Sequence, residues 1–234
     1  MGNVVNTFRP GIFIMVKHPQ AGKVKVRLAK SLGEAAATGL YRAFILDTLA
    51  TVQDLDVPFY IAVHPPESHV KLAQWLGPSL RYFPQKGANL GERLHNGFIA
   101  MFNQKYNQVI ALASDCPDLP AEILQKAVSN LKTHKAVIGP ATDGGYYLIG
   151  FSKDSFIPDS FRNISWSTDA VFQETLTRIE AETNEVCVLP EWQDIDTKSN
   201  LQEFYMLHKS RAGATLHSLR YLRMDQMLLE ILFS

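Results

Sequence analysis

Strand-length runs of uninterrupted apolar residues alternate along this chain with longer stretches of helical periodicity, and that alternation limits the fold more than any other feature. Ile12-Phe-Ile-Met-Val16, Phe59-Tyr-Ile-Ala-Val63 and Val109-Ile-Ala-Leu-Ala113 are apolar at every position, and Leu80-Arg-Tyr-Phe83 is a weaker member of the set. A strand that is apolar on both faces has to be covered on both faces, as a parallel strand is between two layers of helices. The stretches between the runs predict helices over about 40–53, 70–76, 90–104 and 121–133. This β-α-β-α order predicts a three-layer, mostly parallel α/β sheet. Ala136-Val-Ile138 and Tyr146-Tyr-Leu-Ile149 depart from it, because the turn between them has no room for a crossover helix. An antiparallel insertion is expected there. No repeat, low-complexity tract or Gly/Ser-rich linker divides the chain, so residues 1–234 read as one domain, with 211–234 as a C-terminal helix.

Composition narrows the functional classes. Lys+Arg and Asp+Glu both total 23, a formal net charge of zero that gives no general attraction to nucleic acid or to an anionic membrane. Phosphate binding then requires a local cluster of cations. Cys116 and Cys187, the two cysteines, are too far apart for a Cys-rich zinc site, and a disulfide scaffold is not expected. No apolar run approaches the ~18 residues that span a bilayer, and Gly11 to Val16 is too short for a secretory core. The expected location is the reducing cytoplasm. The final apolar stretch, Leu216, Leu219, Leu222, Met227, Leu228, Ile231 and Leu232, has helical spacing and reads as a packed or subunit-contact helix, with a homodimer as the oligomer to expect.

Four segments carry candidate chemistry. Lys17-His-Pro-Gln-Ala-Gly22-Lys23-Val-Lys25-Val-Arg27 follows the first strand directly. Ligands of open α/β sheets bind outside the carboxyl ends of strands, where its cations would meet a diphosphate. The segment is neither a Walker A sequence nor a GxGxxG fingerprint, and a solvated basic loop is an equally good reading on spacing alone. Ser114-Asp115-Cys-Pro-Asp118-Leu-Pro120 ends the strongest strand. Asp115 there suits a Mg²⁺ or Mn²⁺ ion that takes one or two protein carboxylates and completes its shell with phosphate oxygens and water. Asp118 reads as a cap of the next helix, and Cys116 as a packed side chain with no adjacent His to activate it. Asp143-Gly144-Gly145-Tyr146 reads first as a β-turn. Functionally, its glycines bring a ligand close to the backbone, and Asp143 could bind sugar hydroxyls or act as a base. Asp194-Ile-Asp196-Thr197 is either a helix N-cap or a second metal carboxylate meeting Asp115, and Trp166 is divided between a ligand stack and the core.

Taken together and in order, these segments resemble a known family. Lys17-x-Pro19-x-x-Gly22-x-x-Lys25-x-Arg27-Leu28, Asn89-Leu-Gly-Glu-Arg93, Ser114-Asp-Cys-Pro-Asp-Leu119, Gly139-Pro140, Asp143-Gly-Gly-Tyr-Tyr-Leu-Ile-Gly150 and Trp166-Ser-Thr168 are similar to the glycosyltransferases called radical-SAM/selenodomain-associated transferase 1. That family is similar to the GT-A, or nucleotide-diphospho-sugar transferase, superfamily. The resemblance runs from about Phe13 to Leu201. It implies a GT-A fold, a nucleotide site including Lys17, Gly22, Lys25, Arg27, Arg93 and Asp115, and a divalent metal (Mg or Mn) on Asp115 with Asp196 as a second ligand. Gly144, Gly145, Tyr146 and Trp166 fall on the sugar or acceptor side, with Asp143 as the candidate catalytic residue. The implied reaction is transfer from a nucleotide sugar to a small-molecule acceptor. The sequence departs from the family at Val26, where Thr is usual, and at Thr142, where Glu is frequent. Two alternatives share the resemblance: a nucleotidyltransferase similar to phospholactate guanylyltransferase, and a non-catalytic nucleotide-sugar-binding module. Gly145-Tyr-Tyr147, where the guanylyltransferase carries Gly-Thr-Asn, counts against the first.

Overall fold

The computed structural model describes residues 8–210 and 216–234. Seven strands form one sheet in the order β3-β2-β1-β4-β6-β5-β7. They are β1 (Pro10–Lys17), β2 (Phe59–His64), β3 (Tyr82–Pro84), β4 (Gln108–Leu112), β5 (Ala136–Pro140), β6 (Tyr146–Ser152) and β7 (Val186–Val188). β1 pairs in parallel with β2 on one side and β4 on the other, while β6 runs antiparallel to both β4 and β5. The expected insertion is therefore one reversed strand.

The described residues also form nine α-helices: α1 (Val26–Leu32), α2 (Glu34–Gln53), α3 (His69–Leu76), α4 (Leu90–Asn103), α5 (Ala121–Asn130), α6 (Val171–Glu182), α7 (Lys198–His208), α8 (His217–Met224) and α9 (Gln226–Phe233). The pleat sends neighbouring residues of a strand to opposite faces, and each face has its own core. Ile12, Ile14 and Val16 of β1 pack with Leu28, Phe44, Leu124, Leu201 and Leu222 from helices on one side. Phe13 packs with Phe98, Phe102 and Ile179 on the other. The unbroken apolar runs exist because both faces are dry. Fully burying one such side chain contributes about 1.5–3 kcal/mol. On the second face Phe98 sits 5.2 Å from Phe13 and 5.4 Å from Phe151, both near edge-to-face.

Three features differ from the sequence expectation. The segment read as a basic loop is helical from Val26, because Leu28 and Leu32 give it a buried face behind the charges. β7, reached through α6, extends the sheet beyond the strands read from sequence; its three residues, Val186-Cys187-Val188, are apolar but shorter than the runs that mark β1, β2 and β4. The C-terminal helix expected over 211–234 is two helices, broken at Asp225, whose side chain accepts from the Leu228 N–H and caps α9; residues 211–215 lie outside the described residues. Among the described residues no helix is long and apolar enough to cross a membrane.

The two C-terminal helices are attached through a buried charge. Asp47 of α2, 1% exposed, accepts the backbone N–H groups of His217 and Ser218 at the start of α8. Burial raises the pKa of this carboxyl, an effect the backbone N–H groups oppose. Replacing Asp47 with Ala orphans both donors and is expected to lower the unfolding free energy by about 1–3 kcal/mol. Asp47→Asn keeps an acceptor oxygen and is expected to lose less. Urea midpoints of the two variants against the wild type check this.

Candidate active site

β1 connects to β2 on one side and is flanked by β4 on the other, so a crevice opens outside the carboxyl ends of β1 and β4, where the strand order reverses. It forms a cleft of about 940 Å³, at the upper end of the roughly 300–1,000 Å³ common for small-molecule sites. Lys17, Lys23, Arg27 and Arg93 supply cations to its lining. Asp115, Asp143, Asp169, Asp194 and Asp196 supply carboxylates. Between the two sets lies Lys25.

Lys25 is the N-cap of α1, with a left-handed backbone (φ 44°, ψ 48°). That turn directs its side chain inward, where it is 4% exposed. Its Nζ donates to Asp115 Oδ2 at 3.0 Å and to Asp196 Oδ1 at 2.5 Å. Burial alone would lower the pKa of the ammonium, but the charges of Asp115 and Asp196 outweigh it and hold the group above its ordinary value. The carboxylates arrive from opposite ends of the sequence. Asp115 follows β4. Asp196 precedes α7, whose N-cap is Thr197 in a reciprocal capping box with Asn200. Because Thr197 takes the cap, the Asp196 carboxylate is left for Lys25.

A second knot fixes the same loops. The Asp118 carboxylate accepts Trp192 Nε1–H at 2.9 Å and bonds His208 Nε2 at 2.8 Å. Trp192 in turn donates its backbone N–H to Pro140 O and accepts from Thr142 N, next to Asp143. The Ile195 N–H donates to Asp115 O. Asp118 therefore ties the three carboxylate-bearing segments to one another. It does not cap α5 as expected, since Pro120 holds that position without a side-chain bond. At the end of β1, Ser114 donates to Met15 O, Tyr41 shares a hydrogen bond with Ser114, and the Lys17 N–H donates to Tyr41 Oη. Burial, then the charge of Asp115, pushes the Tyr41 phenol up to about 12.

The structure brings Lys17, Lys25, Arg27, Arg93, Asp115, Asp143, Gly145, Tyr146, Trp166 and Asp196 to the cleft. Gly22 and Gly144, expected at the ligand, lie outside its lining and serve turns instead. Gly22 has φ +71°, and a Cβ there would sit 3.1 Å from the Glu34 carboxylate. Gly144 has φ +87°, and a Cβ would stand 2.3 Å from the Asp169 backbone. Asp143 lines the cleft, and its Oδ1 accepts the Gly145 N–H at 2.8 Å, as the turn reading expects. Trp166 is likewise shared between the cleft and the second core. Arg93 bends back to the carbonyls of Gly87 and Ala88. Cys116 is buried, and burial followed by the charge of Asp115 raises its thiol well above the ordinary value, which suits a packed side chain.

Lys23 of the basic segment and Asp194 of the Asp194–Thr197 segment line the cleft as well, together with His64, Gln85 and Asp169, which lie outside the four candidate segments. Local geometry brings Asp194 there. It lies two residues before Asp196 in an extended segment, and that spacing puts both carboxylates on one side, with the buried Ile195 on the other. Burial, then the charges of Asp143 and Asp196, raises its pKa to about 6.

A mostly parallel three-layer sheet with one reversed strand and a charged cleft at its switch point defines the α/β fold of the nucleotide-diphospho-sugar transferases. Residues 45–168, just over half of the chain, match the family described as "Uncharacterized protein conserved in bacteria (DUF2064)", and the protein belongs to that family. A Desulfovibrio desulfuricans G20 protein, provisionally named a nucleotide-diphospho-sugar transferase, is 38% identical over 94% of this chain and 96% of its own, with a TM-score of 0.90. Two more distant structures share the fold. A 4-diphosphocytidyl-2C-methyl-D-erythritol synthase from Anaerococcus prevotii is 15% identical over 86% of this chain and 98% of its own, with a TM-score of 0.54. A cytidylyltransferase from Leptospira borgpetersenii is 12% identical over 96% and 97%, with a TM-score of 0.57. No curated protein matches the sequence.

Asp118→Ala strips the partner from two buried groups at once and is expected to cost about 2–4 kcal/mol of unfolding free energy. Asp118→Asn, which retains an acceptor for Trp192, is expected to cost less. Denaturant titration of both variants, followed by far-ultraviolet circular dichroism, checks the ranking.

Proposed function

We propose that this protein is a metal-assisted transferase that uses a nucleotide-activated sugar. The observation that carries the proposal is the gathering into one cleft at the switch point of the cations Lys17, Lys23, Arg27 and Arg93 and the carboxylates Asp115, Asp143, Asp169, Asp194 and Asp196. A diphosphate flanked by a sugar needs both: cations for the phosphates and carboxylate acceptors for hydroxyl groups. The name of the Desulfovibrio relative supports this reading, as does the resemblance to radical-SAM/selenodomain-associated transferase 1. Asp115 and Asp196 offer hard oxygen donors of the kind Mg²⁺ and Mn²⁺ take. Among the described residues no set of three His, Cys, Asp or Glu side chains converges as a self-sufficient metal site, so an ion there would draw the rest of its coordination from phosphates and water. When bound, such an ion would stabilise negative charge on the phosphoryl oxygens.

The chain's own residues then divide the work. Arg27 and Lys17 hold the diphosphate and offset charge on the leaving group. Trp166 and Tyr146 give a sugar an aromatic wall, and Asp143 accepts a hydroxyl of the donor or acceptor and is the candidate base. A second reading, nucleotidyl transfer from a nucleoside triphosphate, draws on the cytidylyltransferases that share the fold.

The two readings place charge on different phosphates and release different products. A nucleotide sugar is expected to raise the melting temperature with Mg²⁺ or Mn²⁺ more than the matching triphosphate does. Slow hydrolysis is expected to yield nucleoside diphosphate. Pyrophosphate release from a triphosphate and a phosphorylated acceptor, without hydrolysis of the sugar nucleotide, would favour the second reading.

Arg27 is exposed at the cleft and targets phosphate charge only. Arg27→Ala removes charge-assisted hydrogen bonds worth about 1.5–3 kcal/mol. It is expected to weaken a nucleoside diphosphate by roughly tenfold or more and to leave nucleoside binding nearly unchanged. Isothermal titration with the two ligands checks the difference; equal losses would make Arg27 a folding residue.

A further inference from the structure

The position between Asp115 and Asp196 is filled by the protein's own cation. Lys25 reaches it from the left-handed N-cap of α1 and bonds one oxygen of each carboxylate. The ammonium is the buried member of the trio, at 4% exposure, whereas Asp115 and Asp196 are 36% and 34% exposed. An ion approaching from the cleft would find both carboxylates already paired with one ammonium, which offsets half of their combined charge. Resting on the reading of Asp115 and Asp196 as metal ligands, we propose that Lys25 is a tethered counter-ion that shuts a free divalent cation out of the site and yields the carboxylates only to a cation that arrives with a diphosphate.

Charge and geometry carry the argument. A Mg²⁺ ion sits about 2.0–2.1 Å from its oxygens, so an ion held by both carboxylates would lie close to the ammonium, which is already within hydrogen-bond distance of Asp115 Oδ2 and Asp196 Oδ1, whichever carboxylate oxygens it took. Two like-charged groups that close, in a partly desolvated cleft, repel strongly. Removing the ammonium with nothing in its place is no better, because Asp115 and Asp196 would then face each other and Asp194 unneutralised. A diphosphate resolves both conflicts. Lys25 borders the cleft on a flexible four-carbon stem, and an ammonium is a good phosphate donor. It exchanges carboxylate oxygens for phosphate oxygens, and the freed carboxylates take the ion together with the phosphates. Metal and phosphate ligand then bind interdependently, and the free protein holds no loosely bound ion in its cleft.

The test uses MnCl₂ alone, with free Mn²⁺ counted by electron paramagnetic resonance, on the full chain. Without any nucleotide, Lys25→Met is expected to bind Mn²⁺ at least tenfold more tightly than the wild type. Lys25→Arg, which keeps the charge, should behave as the wild type does. The gain should vanish in the double variant Lys25→Met/Asp115→Asn, and inorganic pyrophosphate should promote Mn²⁺ uptake by the wild type. Should Lys25→Met melt early, Lys25→Gln keeps the hydrogen bonds without the charge and supports the same comparison, with the rise in melting temperature on adding MnCl₂ as a second readout. Wild-type protein that binds Mn²⁺ alone as tightly as Lys25→Met, at a site lost in Asp115→Asn, overturns the proposal and leaves the metal reading standing. If no variant shows Asp115-dependent Mn²⁺ uptake, with or without pyrophosphate, the metal reading fails and the proposal fails with it.

Discussion

One buried ammonium holds together segments that the chain keeps far apart. Lys25 lies 90 residues from Asp115 and 171 from Asp196, and its Nζ is the point where the loop after β1, the loop after β4 and the segment before α7 meet. Burying a single charge is costly unless it is paired and hydrogen-bonded. One ammonium shared by two part-exposed carboxylates meets that condition, and each loop is then held by the other two. Asp118 repeats the device a short distance away in the same loops, with Trp192 and His208 as its partners. The floor of the cleft is therefore set by polar contacts, while the hydrophobic layers set the sheet beneath it.

This division of labour has an electrostatic result. A chain with no net charge concentrates opposite charges in one cleft, so its attraction for ligands is local and directional. A polyanion as large as nucleic acid meets carboxylates wherever it meets lysines. A small molecule that carries phosphate at one end and hydroxyl groups at the other can satisfy both kinds of group at once.

The sheet was largely legible in the sequence because the central residues of β1, β2 and β4 are buried between two helical layers, which leaves unbroken apolar runs there. The site was legible in outline: segments that end strands with Lys, Arg or Asp do converge on one edge. What escaped was local. α1 was hidden because exposed cations cover its outer face while Leu28 and Leu32 alone mark its inner one. β7 is too short to leave a pattern. Asp118 looked like a cap because an Asp just ahead of a helix usually is one, and only the fold brings Trp192 and His208 within its reach. A meeting of Asp196 with Asp115 is among the readings the sequence allows, but the pairing of Lys25 with both is not, because residues 90 and 171 positions apart carry no local signal of an ion pair.

The attachment of α8 to α2 bears on how the chain becomes a finished protein as it emerges from the ribosome. Strands and helices through α7 are made first, and N-terminal structure generally forms first. Yet Asp47 is among the early residues, and its backbone donors come from His217 and Ser218, synthesised about 170 residues later. Leu219, Leu222, Leu228 and Leu232, all nearly or fully buried, cover the same side of the sheet from α8 and α9. Until those helices appear, α2 carries an unanswered carboxylate beside open apolar surface. The nascent chain therefore passes through a long interval in which its sheet can be assembled while one flank stays unsealed, and the final turns of helix close it.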